Sequence, residues 1–246
     1  MSIPELQELN RGMLTCCRCP RLVAWREQIA RQKRRAYREQ DYWGKPVPGF
    51  GSPQAHLMIV GLAPGAHGSN RTGRMFTGDA SGDFLYPALF RAGFASQPQS
   101  ISASDNLTLF DAYITAVCRC VPPANKPTPD EIQNCQTYLR QEIELLQPKV
   151  LVALGRIAFN ALLRLFNLPS VMPAFAHGAV FSLPPSSLLS QPSFLICSYH
   201  PSRQNTQTNR LTPAMFDAIW TTARQILSTD PPQGTSHART KNPPRF

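Results

Sequence analysis

The sequence predicts an α/β fold: a three-layer αβα sandwich around a central, mainly parallel four-stranded sheet. Three observations carry this. Four short apolar runs, AHLMIVG from residue 55, AYITAV from 112, KVLVALG from 149 and SFLICSY from 193, are continuous rather than alternating, as strands buried on both faces are. Helical patterns lie between them, and alternating strands and helices build a parallel sheet with helices on its faces. The chemically rich segments, 61–80, 118–128 and 200–210, each follow a predicted strand. In open α/β sheets ligands bind outside the carboxyl ends of the strands.

Residues 1–54 precede the sheet and hold a cysteine cluster, then a predicted basic helix, RLVAWREQIARQKRRAYREQ, from residue 21. The first strand leads through a glycine-rich loop into SGDFLYPALFRAG from 81. After the second strand, TPDEIQNCQTYLRQEIELL from 128 starts with a threonine cap and a proline in the first turn, a helix-start signature. GRIAFNALLRLF from 155 follows the third strand, and LTPAMFDAIWTTARQIL from 211 closes the fold. The domain is expected to span residues 1–228. Residues 229–246, TDPPQGTSHARTKNPPRF, are proline-rich and polar, the composition of a disordered tail. There are no internal repeats.

The 246 residues suffice for one sizeable core. Lys and Arg outnumber Asp and Glu by 25 to 15, a net charge of +10. A chain this basic points to a polyanion such as DNA, RNA or an anionic membrane. No apolar run approaches a bilayer span. The start, MSIPELQELNRGML, lacks the basic and then apolar pattern of a secretory signal, so a cytoplasmic protein is expected. Nothing in the sequence signals oligomerisation, and a monomer is expected.

Seven cysteines in a cytosolic chain point to metal binding or catalysis before disulfides. They read CCRCP at 16–20, CRC at 118–120, then Cys135, with Cys197 alone inside a strand pattern. Cys16 and Cys19 form a C-x2-C pair, and Cys120 and Cys135 can complete four thiolates, a set that suits zinc or an iron–sulfur cluster. Spacing alone leaves the metal open, along with Cys16 against Cys17 and Cys120 against Cys118. A metal here would pin the N-terminal segment to the loop after the second strand.

The loop GLAPGAHGSNRTGRMFTGDASGDFLY begins like a phosphate loop. A Walker loop, however, needs a lysine and a Ser or Thr after its last glycine, and a dinucleotide site needs G-x-G-x-x-G. Both are missing. The loop instead carries His67, Asn70, Arg71, Arg74, Phe76 and Asp79.

Five pieces in order, C-x2-C-P-R-L from Cys16, DYWGKPVPGFG from 41, this loop, CVPPANKPTPDE from 120 and HPSRQNTQTNRLT from 200, resemble the uracil-DNA glycosylase superfamily, most closely its family 5 of iron–sulfur B-type enzymes. The resemblance covers residues from about 14 to 225. It implies a DNA repair glycosylase that initiates base excision repair by flipping a damaged base out of double-stranded DNA and hydrolysing its N-glycosidic bond. Extrusion is needed because the bond is out of reach inside the stack.

The resemblance also assigns residues. His200 would stabilise negative charge on the leaving base and Phe76 would stack on it. Asn125 would read its edge, in a pocket floored by Gly61, Ala63 and Gly65. Asp79 has two readings: it positions water or balances the cationic sugar, or it caps the following helix. Ser202, Arg203, Gln204 and Asn205 would bind phosphate and fill the space the base vacates. The basic run Arg31, Lys33, Arg34, Arg35 and Arg38 would add phosphate contacts, or form a solvated helix face. The family pattern selects Cys16, Cys19, Cys120 and Cys135 as ligands of one structural [4Fe–4S] cluster, leaving Cys17 and Cys118 without a role.

Departures matter too. The best-known uracil enzymes carry Gly-Gln-Asp-Pro-Tyr where this chain has Gly61-Leu62-Ala63-Pro64-Gly65, so the water-handling aspartate and the bulky tyrosine are both replaced. Ala116 stands where family 4 enzymes usually carry a base-reading asparagine. A wider pocket with fewer contacts implies that uracil is accepted along with other deaminated bases such as hypoxanthine. The alternative reading is a non-catalytic nucleic-acid-binding module on the same fold.

Overall fold

The computed structural model describes residues 3–168 and 174–229. Helices α1 (Ile3–Leu14) and α2 (Pro20–Gln32) come first. The sheet is then built from β1 (Phe50–Gly51), β2 (Leu57–Gly61), β3 (Ala112–Ala116), β4 (Val150–Leu154), β5 (Val180–Leu183) and β6 (Ser193–Ser198). Helices α3 (Ser69–Thr72) and α4 (Ala80–Arg91) follow β2, and α5 (Pro129–Leu146) follows β3. After these come α6 (Arg156–Leu165), α7 (Arg203–Gln207) and α8 (Pro213–Thr229).

The strand order is β1-β3-β2-β4-β6-β5. β3, β2, β4 and β6 are mutually parallel, and these are the four predicted strands. The sheet has six strands rather than four, because β1 and β5 add antiparallel edges. Neither gave the signal of a strand buried on both faces. β1 is two residues long. β5 is partly exposed and stands among serines and prolines.

Alternate residues of the continuous apolar runs divide between two cores, which is why the runs show no polar positions. Leu57 and Ile59 of β2, with Ile114, Val152 and Ile196, pack with Leu85 and Leu89 of α4 and Phe216, Ile219 and Trp220 of α8. Met58 and Val60, with Tyr113, Leu151, Ala153, Leu195 and Cys197, pack with Leu139 and Ile143 of α5, Phe159 and Leu162 of α6, and Leu6 of α1. The three-layer arrangement is therefore as expected.

The predicted basic helix is shorter than its pattern. It ends at Gln32, where Lys33 turns to φ +49°, and a 3-10 turn at Arg35–Tyr37 follows. Arg34, Arg35 and Arg38 are exposed but lie beyond the helix. α8 runs to Thr229, one residue into the expected tail, and the rest of that tail lies outside the described residues. Among the described residues no helix is long and apolar enough to cross a membrane.

Candidate active site and four-cysteine cavity

Because β2, β3 and β6 are parallel, their following loops emerge on one edge of the sheet. The loops after β2 and β3 are joined directly: the Val117 and Cys118 amides donate to the Gly61 and Leu62 carbonyls, at 3.0 and 2.9 Å.

Asp79 is the N-cap of α4. Its Oδ1 accepts from the Ser81 and Gly82 amides, both at 3.1 Å. The capping role expected as one alternative is thus present, but it occupies one oxygen. Oδ2 has no hydrogen-bond partner among the described residues and points at Gly65 and Gly68. A Cβ at Gly65 would stand 2.8 Å from it. Burial raises the Asp79 carboxyl above its ordinary value, against the two amide bonds that lower it.

Phe76 is buried and sits at φ +53°, a conformation that costs a bulky residue energy and concentrates at functional sites. Its amide donates to Ser69 Oγ at 3.0 Å. Its ring lies over Gly61, where a Cβ would come within 2.8 Å of the ring edge. The His200 ring stands near it, with centroids 6.0 Å apart and planes inclined by 33°. Burial pushes His200 down to about 4, so at neutral pH it is an uncharged imidazole with one N–H to donate.

His200 is held from behind. The Asn205 side chain donates to the His200 carbonyl at 2.9 Å. Asn205, expected at the DNA, therefore uses its amide nitrogen to shape the β6–α7 loop. Ser202 opens α7 and accepts at its carbonyl from the Asn205 and Thr206 amides, while Arg203 and Gln204 are exposed. Ala63 packs toward the α5–α6 layer. Asn125 is exposed on a 3-10 turn, where it and Ala124 adopt φ +56° and +52°. Its side chain makes no hydrogen bond among the described residues. Gly61, Phe76 and His200 thus meet, as do Gly65 and Asp79.

Several polar residues of the glycine loop stitch it down. Arg71 donates to the His67 and Gly78 carbonyls at 2.7 and 3.0 Å and to Gln40 Oε1 at 2.6 Å. Arg74 binds Thr77, Ser100 and Asp105. These two arginines shape the loop.

Cys16, Cys19, Cys120 and Cys135 line one small cavity, together with Arg18, Leu22, Val23, Pro46, Arg119 and Tyr138. Cys17 is exposed and Cys118 is buried, and neither is among the residues that line the cavity. Among the described residues no three histidine, cysteine or acidic side chains converge as a single-ion site. The electrostatics are mixed: burial raises the Cys19 thiol and pushes Cys120 up to about 11. Cys19 stands at the N-cap of α2 without a side-chain capping bond. Arg26 Nη1 donates to Cys120 Sγ at 3.0 Å. A hydrogen bond with Cys118, against burial, draws the Cys135 thiol down to about 7.

The N-terminal segment is clamped to α5 beside this cavity. Arg21 makes two bonds to Glu131, at 2.7 and 2.6 Å, and Arg18 donates to Thr137 at 2.9 Å. Asn70, in the glycine loop, donates to the Arg26 carbonyl at 3.2 Å, so the loop is tied to α2, whose Leu22 and Val23 line the cavity. Arg26 and Arg119 went unremarked in the sequence. The one local signal was an arginine set between two cysteines in CRC.

Comparison with known proteins agrees with the expected kinship. The family model described as the uracil DNA glycosylase superfamily matches residues 48–224. A type-5 uracil-DNA glycosylase of Thermus thermophilus is 53% identical over 215 residues, covering 87% of this chain and 94% of the relative. One from Pyrobaculum aerophilum is 44% identical, covering 83% and 85%. A type-4 uracil-DNA glycosylase of Archaeoglobus fulgidus is 34% identical over 63% of this chain and 70% of its own length.

Proposed function

The chain belongs to the uracil DNA glycosylase superfamily, and from this we propose that it excises uracil from DNA as the first step of base excision repair. It is an enzyme, a uracil-DNA glycosylase, and relatives named as enzymes over most of its length give no support to a non-catalytic binding module. Its substrate is DNA. We read it as a cytoplasmic monomer that works on duplexes.

The observation that carries the mechanism is the open Oδ2 of Asp79, on a carboxylate anchored through Oδ1 to the α4 N-terminus and sheltered by Gly65 and Gly68. As the glycosidic bond breaks, positive charge grows on the sugar and negative charge on the leaving base. Asp79 answers the first by balancing the sugar or orienting water. The neutral His200 N–H answers the second by donating to the base oxygen. Both groups are fixed before the reaction, which is where electrostatic catalysis gains most. The flipped base stacks on Phe76, and Asn125 reads its edge once DNA brings the 118–128 loop and the base together. Exposed Arg203 and Gln204 enter the space left in the duplex, while Ser202 and loop amides hold phosphate.

Cys16, Cys19, Cys120 and Cys135 hold a [4Fe–4S] cluster in this reading. The reaction transfers no electrons, so the cluster's contribution is to fix the N-terminal segment against the β3–α5 loop.

Gly65 in place of bulk widens the pocket, and bases other than uracil should enter. Release of uracil and of hypoxanthine from otherwise identical duplexes tests this. Both are expected above the enzyme-free rate. Release of uracil alone would contradict the wide pocket.

A further inference from the structure

We propose that Arg119, aided by Arg26, donates hydrogen bonds to the sulfur atoms of the cluster, acting as a positioning residue that sets its stability and reduction potential. The inference rests on the reading that the four cysteines hold a [4Fe–4S] cluster. Arg119 lies between two cysteines of the CRC segment, is 1% exposed and forms part of the wall of the four-cysteine cavity. Its Nη2 is taken by Glu142. Its Nε and Nη1 are buried without a hydrogen-bond partner, and so is Nε of Arg26. The remaining Arg26 bonds run to the Cys16 carbonyl and Cys120 Sγ, at 3.3 and 3.0 Å.

Buried donors left unmet are costly, and those on a charged group most of all. The two on Arg119, in the wall of the four-thiolate cavity, call for acceptors there, and Arg26 reaches the same thiolates through its bond to Cys120. A tetrathiolate zinc site presents its four sulfurs and nothing more. An iron–sulfur cube adds inorganic sulfides and carries net negative charge, so it can accept from nitrogens that no cysteine sulfur takes up.

Arg119 is well placed to hold such contacts. Glu142, completely buried, accepts from Tyr113 at 3.1 Å and from Thr115 at 2.6 Å. Both partners belong to β3. The guanidinium is therefore braced by the central sheet rather than free to follow the cluster. Its backbone is tied as well, because the Val47 amide donates to the Arg119 carbonyl at 2.8 Å. Hydrogen bonds to cluster sulfur are among the levers that set its potential. They stabilise the more negative, reduced form.

The test uses full-length protein purified without oxygen: wild type, Arg119→Lys, Arg119→Met and Arg26→Met. Iron, acid-labile sulfide, midpoint potential by EPR-monitored titration with dithionite, bleaching rate under a chelator and thermal melting are measured on each. Wild type is expected to hold iron and sulfide. Arg119→Met should shift the midpoint to more negative potential and bleach several-fold faster. Arg119→Lys, which keeps the charge but not the forked donors, should fall between. Arg26→Met should shift in the same direction, and it carries the test if Arg119→Met does not fold. Unchanged midpoint and bleaching in the variants that fold, with only a lower melting temperature, would reduce Arg119 to an ion-pair partner of Glu142 and overturn the inference. Wild type free of iron and sulfide would overturn the cluster reading itself, a separate result.

Discussion

Asp79→Asn is expected to slow uracil release from duplex DNA by about 10²–10⁴-fold, with DNA affinity and melting temperature close to wild type. The substitution separates the two jobs of the residue. Asparagine caps a helix about as well as aspartate, so the bonds now made by Oδ1 to Ser81 and Gly82 survive. What is lost is the charge at Oδ2, beside Gly65 and Gly68. Single-turnover kinetics with DNA-binding and melting measurements read the split. A variant that lost binding and stability as much as rate would show a capping residue and nothing more.

The pH profile of the same pair extends the test. Burial raises the Asp79 carboxyl, so the ionised form is depleted, as pH falls, sooner than for an ordinary aspartate. Wild-type rate should fall on an acid limb lying above the usual aspartate range, and Asp79→Asn should lack that limb. His200, pushed down to about 4, stays neutral through about pH 5 to 8. No histidine step is expected in that window.

His200→Ala is expected to cost about 10²–10³-fold in the chemical step, the usual loss when one donor to a developing anion is removed. The ring lies within 6.0 Å of the Phe76 ring, centroid to centroid, and its backbone is held by Asn205. Truncation should therefore leave the loop in place, and substrate affinity should change far less than rate. A large loss of affinity with an unchanged single-turnover rate would move His200 from the chemistry to binding.

Much of this was legible in the sequence. The parallel strands are buried on both faces, and burial on both faces writes itself as an unbroken apolar run. β1 and β5 cover an edge instead, with too few or too polar residues to stand out. The Thr128 cap was plain because side-chain capping is local, and the capping box with Glu131 is present. The length of the basic helix was not, because one residue, Lys33 at φ +49°, ends it within an uninterrupted polar pattern. At the site, Asp79 and its cap lie a few residues apart, whereas the approach of Phe76 to His200 is a tertiary contact no spacing encodes. The Phe76 backbone strain was likewise hidden, since nothing around a phenylalanine announces φ +53°. The unmet nitrogens of Arg119 and Arg26 emerge only when two distant segments fold onto one cavity.

The most direct test of the central claim is a single-turnover assay on a duplex carrying one uracil, with free base measured by chromatography and the DNA strand before and after alkali. Hydrolysis at the glycosidic bond predicts stoichiometric free uracil and a strand that stays intact until alkali breaks it at the abasic site. No free uracil above a boiled control, or a strand cut without alkali, would contradict the account.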